Sequence, residues 1–214
     1  MKYWTEFESY EPNIIGKKKK IDNTIFTFDI ESSSYFILQN KIRPAIEYQD
    51  LTKDEQEDAE FRASMYIWQF SINDDVYYGR YWLEFVEFLK KIDKIFDGKK
   101  IIFVHNLSFE FQFMKSIFNF EKVFARKSHK VIYCKLQELN FEFRCTYFMS
   151  NCALSELAKV YKLEVKKAEG ELDYTKIRNN KTILSDEELD YCEKDCLVVY
   201  HYIKDVEFVS YKNR

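Results

Sequence analysis

Apolar and polar positions along the chain switch between the two-residue period of strands and the 3.6-residue period of helices. Ile25–Ile30 is an apolar run rich in β-branched and aromatic residues, which predicts a buried strand. Ala63–Ile72 and Val76–Tyr81 predict two further strands, joined by the turn-forming sequence Asn-Asp-Asp. Over residues 82–96 the apolar positions recur at intervals of three and four, which predicts an amphipathic helix.

The second half of the chain continues this alternation of strands and helices. The pattern predicts a strand, a helix, a β-hairpin and a second helix, in the order Ile101–Val104, Phe109–Phe118, Lys130–Lys135 with Asn140–Thr146, and Ala153–Tyr161. A long final helix is predicted to start at Ser185, because Ser185–Glu188 has the Ser-x-x-Glu form of a capping box. Strands and helices in mixed order indicate the α/β class.

Length and composition predict a single folded domain. A chain of 214 residues fits one domain with a sizeable core, and its 46% hydrophobic content favours a folded protein over a disordered one. Residues 1–22 are polar and end in a lysine run, so we interpret them as an N-terminal arm and residues 23–214 as the domain. Residues 41–60 contain an acidic stretch that predicts a loop or a short surface helix.

Charge and cysteine usage restrict the partners and the compartment. The formal net charge of −3 gives no global attraction to nucleic acid, but Lys17–Lys20 and a basic cluster within residues 122–130 suit phosphate contacts. The alternative for both is a solvated surface segment. The five cysteines lack metal-binding spacing, and the chain shows no apolar stretch of about 20 residues and no secretory signal. We therefore expect a soluble cytoplasmic protein without a membrane partner.

Two acidic residues, Asp29 and Glu31, lie at the end of the first predicted strand. Successive strand residues point to opposite faces, so these two side chains project to the same side. Carboxylates placed so close together repel one another unless a cation lies between them, and such hard oxygen ligands suit Mg²⁺ or Mn²⁺. The pair therefore predicts a metal site, with a turn or cap acid as the structural alternative.

A tyrosine and an aspartate lie one turn apart on the predicted final helix. Tyr191 and Asp195 are i and i+4, so they share one helix face. An aspartate can bind a metal, and a tyrosine hydroxyl can orient a water molecule. The alternative is a surface tyrosine beside an exposed acid. We interpret the neighbouring Cys192 and Cys196 as packing thiols rather than ligands.

His105–Glu110, which reads His-Asn-Leu-Ser-Phe-Glu, follows a predicted strand and opens a helix. Asn106 can hydrogen-bond to sugar or base edges, and Phe109 offers a stacking face for a single-stranded base. Glu110 supplies a further carboxylate. The alternative is an acid in the first turn of a helix, where the helix dipole favours it. We interpret His105 as a structural hydrogen-bonding residue.

Together these segments resemble the ExoI, ExoII and ExoIII motifs of the 3′–5′ exonuclease domain in protein-primed family B DNA polymerases of small bacteriophages. That family reads Asp-x-Glu, His-Asn-Leu-x-Phe-Asp and Tyr-x-x-x-Asp where this chain has Asp29–Glu31, His105–Glu110 and Tyr191–Asp195. Residues 143–146, 154–159 and 172–174 are similar as well. The resemblance covers about residues 24–205 and indicates the DEDDy subgroup.

The resemblance implies an α/β fold of the RNase H-like DEDD exonuclease type, with a mixed central β-sheet of five strands flanked by helices. It implies two Mg²⁺ or Mn²⁺ ions, for which the expected metal-binding residues are Asp29, Glu31, Glu110 and Asp195. It implies that these residues are catalytic together with Tyr191 and Lys167. The expected contacts to the 3′ end of single-stranded DNA are Ser32, Asn106, Phe109, Thr146 and Lys166.

Three departures from the family pattern bear on activity. Glu110 stands where the family has aspartate, and the added methylene shifts the carboxylate by about 1.5 Å, a misplacement that can cost about a hundredfold in rate. Cys145 stands where relatives often carry aspartate. Spacing around the expected catalytic lysine is altered, which leaves both Lys166 and Lys167 as candidates. No polymerase segment follows the third motif within these residues.

The sequence therefore predicts a metal-dependent 3′–5′ exonuclease acting on single-stranded or frayed DNA, of the proofreading type. A polymerase domain or another replication protein is the expected protein partner, in a bacterial host cell if a phage encodes the chain. Two alternatives remain open. One is a catalytically weakened module that binds single-stranded nucleic acid, and the other is a 3′–5′ exoribonuclease, because metal motifs do not report on the 2′-hydroxyl.

Overall fold

The structure is a computed structural model that describes residues 1–11, 14–15, 21–22, 24–95, 98–165 and 172–207. Its strands are β1 (Lys2–Tyr3), β2 (Ile14–Ile15), β3 (Ile21–Asp22), β4 (Phe26–Leu38), β5 (Lys41–Pro44), β6 (Glu60–Ile72), β7 (Asp75–Gly79), β8 (Lys100–Val104), β9 (Phe120–Ala125), β10 (Val131–Leu136) and β11 (Phe141–Cys145). Its α-helices are α1 (Lys53–Asp58), α2 (Trp82–Ile95), α3 (Leu107–Met114), α4 (Tyr147–Ser150), α5 (Leu154–Val160) and α6 (Asp186–Tyr202). Short 3₁₀ segments span Trp4–Glu6 and Ala45–Asp50, and a π-helical turn spans Ile203–Glu207.

One large mixed sheet organises the molecule. Its strands follow the order β1-β7-β6-β4-β8-β11-β10-β9, with β5 added beside the outer part of β4. Strands β4, β8 and β11 run parallel to one another, whereas β6 and β10 run antiparallel to their neighbours. The α/β class and the mixed central sheet are confirmed. Within the described residues this sheet has nine strands rather than the expected five. Short segments such as β1 and β5 join it by backbone pairing, and their sequences show little of the hydrophobic alternation that marks a strand.

Helices cover both faces of the sheet, and the alternation along β4 shows why. Phe26, Phe28 and Ile30 point to one face, where they belong to the main core together with buried residues of α2 and α3. The ring of Phe28 stacks on that of Phe85 with centroids 4.5 Å apart. Ile25, on the other face, packs in a second core formed with α5 and α6. The β4 side chains between these two layers are therefore sorted by a two-residue period.

Strand β4 is longer than the sequence predicts. It continues through three serines to Leu38, where it pairs with β5 and with the first half of β6. The pairing of β4 with β6 shifts in register between Glu31 and Ser32, so Tyr66 on β6 forms an extra bulged residue at that point. A bulge bends and twists a strand, and bulges are common beside active sites. The polar residues from Glu31 to Ser34 interrupt the apolar pattern, so the predicted strand ends at Ile30.

The helix predictions hold with shifted ends. The final helix begins after Ser185, whose side chain accepts a hydrogen bond from the Glu188 amide, and the predicted capping box is present. Helix α3 begins two residues earlier than predicted because Asn106 adopts a left-handed conformation with φ of 66°, which turns the chain directly out of β8. The predicted hairpin is β10 and β11, which pair antiparallel.

The first residues of the chain lie against the sheet. Strand β1 pairs in parallel with β7, and Phe7 is buried in the main core beside Phe88. The segment assigned to an arm therefore contributes to the core over its first part, while the run Lys17–Lys20 lies outside the described residues. Among the described residues, none of the helices is both long and apolar enough to cross a membrane.

Candidate active site

The carboxylates of Asp29 and Glu31 lie on the face of β4 that α6 covers. The two-residue spacing places them on the same side as Thr27, whose hydroxyl donates a hydrogen bond to the Cys196 carbonyl of α6 at 3.2 Å. Gln69, the register partner of Asp29 on β6, donates from Nε2 to Asp29 Oδ2 at 2.8 Å. Strand pairing and helix docking thus fix the direction of both acids.

Helix α6 brings the third carboxylate to the same point. Asp195 lies one residue before Cys196, and only 4% of its surface is exposed. Asp29, Glu31 and Asp195 each offer a carboxylate oxygen, and these oxygens all lie within 4.8 Å of one another. Asp195 lies more than 160 positions after Asp29 and Glu31 in the chain, and the packing of α6 on β4 brings the three together. Three of the four acids predicted to converge are thus found together, and Glu110 lies outside this group of oxygens.

Glu110 forms the buried side of the site. It lies in the first turn of α3, it is 2% exposed, and its carboxyl group interacts with that of Asp29. Burial raises the pKa of Glu110 well above its usual value, and the Asp29 carboxylate raises it further. Its Oε2 atom accepts no hydrogen bond from any described donor. Two carboxyl groups placed side by side in this way require a proton or a cation to offset their repulsion.

These acids open onto a cleft of about 570 Å³ at one edge of the sheet. The cleft contains three residues predicted to contact a substrate, Ser32, Asn106 and Phe109. Asn106 is exposed, and Phe109 is 42% exposed, so both can reach a ligand. Ser32 directly follows the bulge position. The other lining residues are Ile30, Ser33, Ser34, Ala45, Ile46, Tyr66, His105, Leu154, Leu172, Tyr174, Lys176 and Arg178.

Tyr191 is buried beside the cleft, next to two of the residues that line it, Tyr66 and Leu172. It is buried in a cluster with Tyr66, Leu172 and Cys192 on the helix face that also presents Asp195. Burial raises the pKa of Tyr191, and the negative charges of Asp195 and Glu31 raise it further, as does a hydrogen bond with Tyr174. Tyr191 therefore keeps its proton. The two thiols of Cys192 and Cys196 are buried and keep theirs as well, because burial raises their pKa values.

Thr146 lies beneath the cleft, where it is fully buried. Its hydroxyl oxygen is 3.0 Å from His105 Nδ1, and the His105 ring faces the cleft. The structure thus places Thr146 as a residue that positions His105. Its direct contact with a substrate stays a prediction.

The two expected lysines, Lys166 and Lys167, lie outside the described residues. The structure instead brings two cations to the cleft that sequence reasoning did not select, Lys176 and Arg178. Arg178 is 4% exposed and forms an ion pair with Glu188 of α6, and its amide donates to Ser33 Oγ at 2.8 Å. Arg178 lies in an irregular segment, where no hydrophobic period or motif in the sequence marks it as a site residue.

The residues present fit a divalent metal. The three converging acids offer hard oxygen ligands, which Mg²⁺ and Mn²⁺ prefer. The buried Glu110 oxygen without a donor, adjacent to Asp29, adds a fourth group that a cation would satisfy. The buried cysteines next to these acids are protonated thiols and do not compete as ligands.

Comparison with known proteins finds a shared fold. No family model matches the chain, and no curated protein is significantly similar to it. Among solved structures, Phi29 DNA polymerase in complex with primer-template DNA and incoming nucleotides superimposes with a TM-score of 0.64 over 91% of this chain, at 12% sequence identity. The orthorhombic crystal form of Phi29 DNA polymerase gives a TM-score of 0.61 over 89% of this chain at 13% identity, and its complex with single-stranded DNA gives 0.58 over 89% at 13%.

This chain spans 32% of the length of those polymerases. At such low identity the similarity shows the fold alone. It confirms the fold that the three sequence motifs imply.

Proposed function

We propose that this protein is a metal-dependent 3′–5′ exonuclease that removes nucleotides from the 3′ ends of single-stranded or frayed DNA. The observation that carries the proposal is the convergence of Asp29, Glu31 and Asp195, with carboxylate oxygens within 4.8 Å of one another at an open cleft. The fold shared with Phi29 DNA polymerase supports a DNA substrate.

The three converging acids and Glu110 are the residues that would hold the metal ions. When bound, Mg²⁺ or Mn²⁺ supplies Lewis-acid chemistry that lowers the pKa of a water molecule and stabilises negative charge on the departing 3′ oxygen. The protein contributes a fixed arrangement, because Gln69 anchors Asp29 and the packing of α6 against β4 anchors Asp195.

Other residues around the cleft bind and orient the substrate. The exposed ring of Phe109 stacks on the terminal base, and Asn106 hydrogen-bonds to its sugar or base edge. Tyr191 retains its hydroxyl proton beside Asp195 and Glu31, so it can donate a hydrogen bond that orients the attacking water. Lys176 lines the cleft and is exposed, so it can neutralise a phosphate.

The proposal is tested by incubating the protein with 5′-labelled single-stranded DNA and RNA in Mg²⁺ or Mn²⁺. We expect a ladder of products shortened from the 3′ end, with DNA degraded faster than RNA. Asp29→Ala and Asp195→Asn each remove a metal ligand. The bound metal stabilises charge in the transition state by several kcal/mol, so each substitution should reduce the rate of hydrolysis by about a hundredfold or more. Asp190→Asn, on the exposed side of the same helix, is the matched control and should keep the wild-type rate.

Binding of DNA without any laddering would contradict the proposal and favour a catalytically weakened binding module. The position of Glu110, which lies beside Asp29 but outside the group of three converging oxygens, is the observation that favours this alternative. Faster degradation of RNA than of DNA would instead favour an exoribonuclease.

A further inference from the structure

A compact basic loop, residues 126–130, connects β9 to β10 and reads Arg-Lys-Ser-His-Lys. The loop closes on itself, because the Arg126 amide donates to the Lys130 carbonyl and the Lys130 amide donates to the Lys127 carbonyl, both at 3.0 Å. Arg126, Lys127 and Lys130 are exposed, and none of them pairs with a carboxylate within the described part of the chain. Three unneutralised charges in five residues stand out in a protein of net charge −3.

The basic loop lies at the same edge of the sheet as the carboxylates. Strands β4, β8 and β11 are parallel, β10 is antiparallel to β11, and β9 is antiparallel to β10. The end of β9 and the start of β10 therefore lie at the edge where β8 leads into α3. A direct contact supports this placement, since the Val131 amide donates to Ser108 Oγ at 2.8 Å. Ser108 immediately precedes Phe109, whose ring lines the cleft.

The strand leading into the loop presents an aromatic ring on the face that carries the acids. Register pairs link this face across the sheet in the order Phe124–Tyr133–Arg144–Phe103–Thr27. Thr27 shares its face with Asp29 by alternation. Phe124 is 53% exposed. Lys122, two residues earlier, lies with its Nζ 5.7 Å from the centroid of the Tyr133 ring on that same face. An exposed aromatic side chain between cations is the arrangement that binds single-stranded nucleic acid.

We propose that the ribbon formed by β9, the basic loop and β10 binds the DNA strand upstream of the 3′ end held in the cleft. Phe124 stacks on a base, while Arg126, Lys127 and Lys130 contact phosphates. The inference rests on the proposed function for the identity of the strand. Strand β9 is four strands from β4, about 19 Å at roughly 4.8 Å per strand. At about 3.4 Å or more per nucleotide, this distance corresponds to about six nucleotides or fewer.

The test is the salt dependence of binding to 5′-fluorescein-labelled dT12, followed by fluorescence anisotropy in EDTA. Each phosphate contact on a single strand contributes about 0.7 to the slope of log K against log salt. The triple variant Arg126→Gln, Lys127→Gln and Lys130→Gln should therefore lower the slope by about 2. The matched triple variant Lys90→Gln, Lys91→Gln and Lys94→Gln, on α2, should leave the slope unchanged.

Phe124→Ala separates stacking from charge. Stacking of one base is worth about 1–3 kcal/mol, so this variant should weaken binding about tenfold without changing the salt slope. With dT4, which is too short to cross the sheet edge, the loss in the loop variant should be smaller than with dT12.

A wild-type slope in the loop variant, or an equal loss of slope in the α2 control, would overturn the inference. Thermal melts check that each variant folds. If the triple variant does not fold, Lys127→Gln alone replaces it, and the expected change in slope is then about 0.7. Because binding is measured without metal, the result does not depend on hydrolysis. If the loop variant loses the expected salt slope but the wild-type protein gives no ladder in the nuclease assay, the exonuclease proposal is contradicted and the DNA-binding role of the ribbon is still supported.

Discussion

The direction of a side chain at the site is predictable from the sequence where two residues are spaced two apart on a strand or four apart on a helix. Asp29 and Glu31 share a face because they are two apart on a strand, and Tyr191 and Asp195 share a helix face because they are four apart. Gln69 was not predicted, because its contact with Asp29 depends on the register between two strands that local pattern does not define.

Glu110 is the residue at which this chain departs from the family motif, and its surroundings predict how substitutions behave. Glu110→Asp withdraws the carboxylate by about 1.5 Å from Asp29. Because displacements of this size at a reacting centre can cost about a hundredfold, we expect the rate of 3′ hydrolysis to fall by about 10- to 100-fold. Glu110→Gln, which keeps the shape and removes the charge, should lower the rate as well.

The measurement is the single-turnover rate on a 5′-labelled oligonucleotide, with Glu87→Asp on α2 as a control that keeps the wild-type rate. A higher rate in Glu110→Asp would show that the glutamate holds the natural site below its attainable activity. That outcome would contradict the role given to Glu110 here.

Element positions were more predictable than element ends. The amphipathic pattern located α2, and the capping box located the start of α6, because each signal is local in sequence. The start of α3 was missed by two residues, since the left-handed turn at Asn106 depends on how β8 meets the helix. The irregular segment 172–185 gave no period at all, yet it places Tyr174, Lys176 and Arg178 at the cleft.

Arg178 holds that segment to two other elements, so its loss should be costly. Its guanidinium pairs with Glu188 at the start of α6 and donates to the Asp173 carbonyl at 2.7 Å, while its amide binds Ser33 of β4. Removing one partner of a buried ion pair typically costs about 3–5 kcal/mol. We expect Arg178→Ala to lower the free energy of unfolding by about 3 kcal/mol in urea denaturation.

Arg178→Lys should restore only part of that stability, because an ammonium group cannot reproduce the fork geometry of the guanidinium. Arg62→Ala, in an exposed ion pair with Glu60, is the control and should change stability by less than about 1 kcal/mol. Equal effects of the two alanine substitutions would refute the anchoring role of Arg178.

At the scale of the whole molecule, the sheet collects acids from distant positions into one partly buried group of carboxyl side chains. The α/β class and the mixed sheet followed from the alternation of strands and helices, whereas the additional edge strands did not, because they rely on backbone pairing. Burying Asp195 and Glu110 beside Asp29 opposes folding when no cation is present.

A divalent ion that binds this group should therefore stabilise the fold. At a concentration of 100 times Kd, a ligand that binds only the native state contributes about 2.7 kcal/mol. For a chain of 214 residues this corresponds to a rise in Tm of roughly 5–10 °C in Mn²⁺ relative to EDTA. Asp195→Asn should abolish most of the rise, and Asp190→Asn should not. An equal rise in both variants would mean that the ion binds elsewhere.

A crystal structure of the protein with Mn²⁺, analysed by anomalous scattering, tests the metal site most directly. We expect two anomalous peaks about 3.5–4 Å apart among Asp29, Glu31 and Asp195, at least one of them within coordination distance of these carboxylates. Strong peaks at other positions with none at these acids, at a Mn²⁺ concentration that raises the Tm, would contradict this expectation.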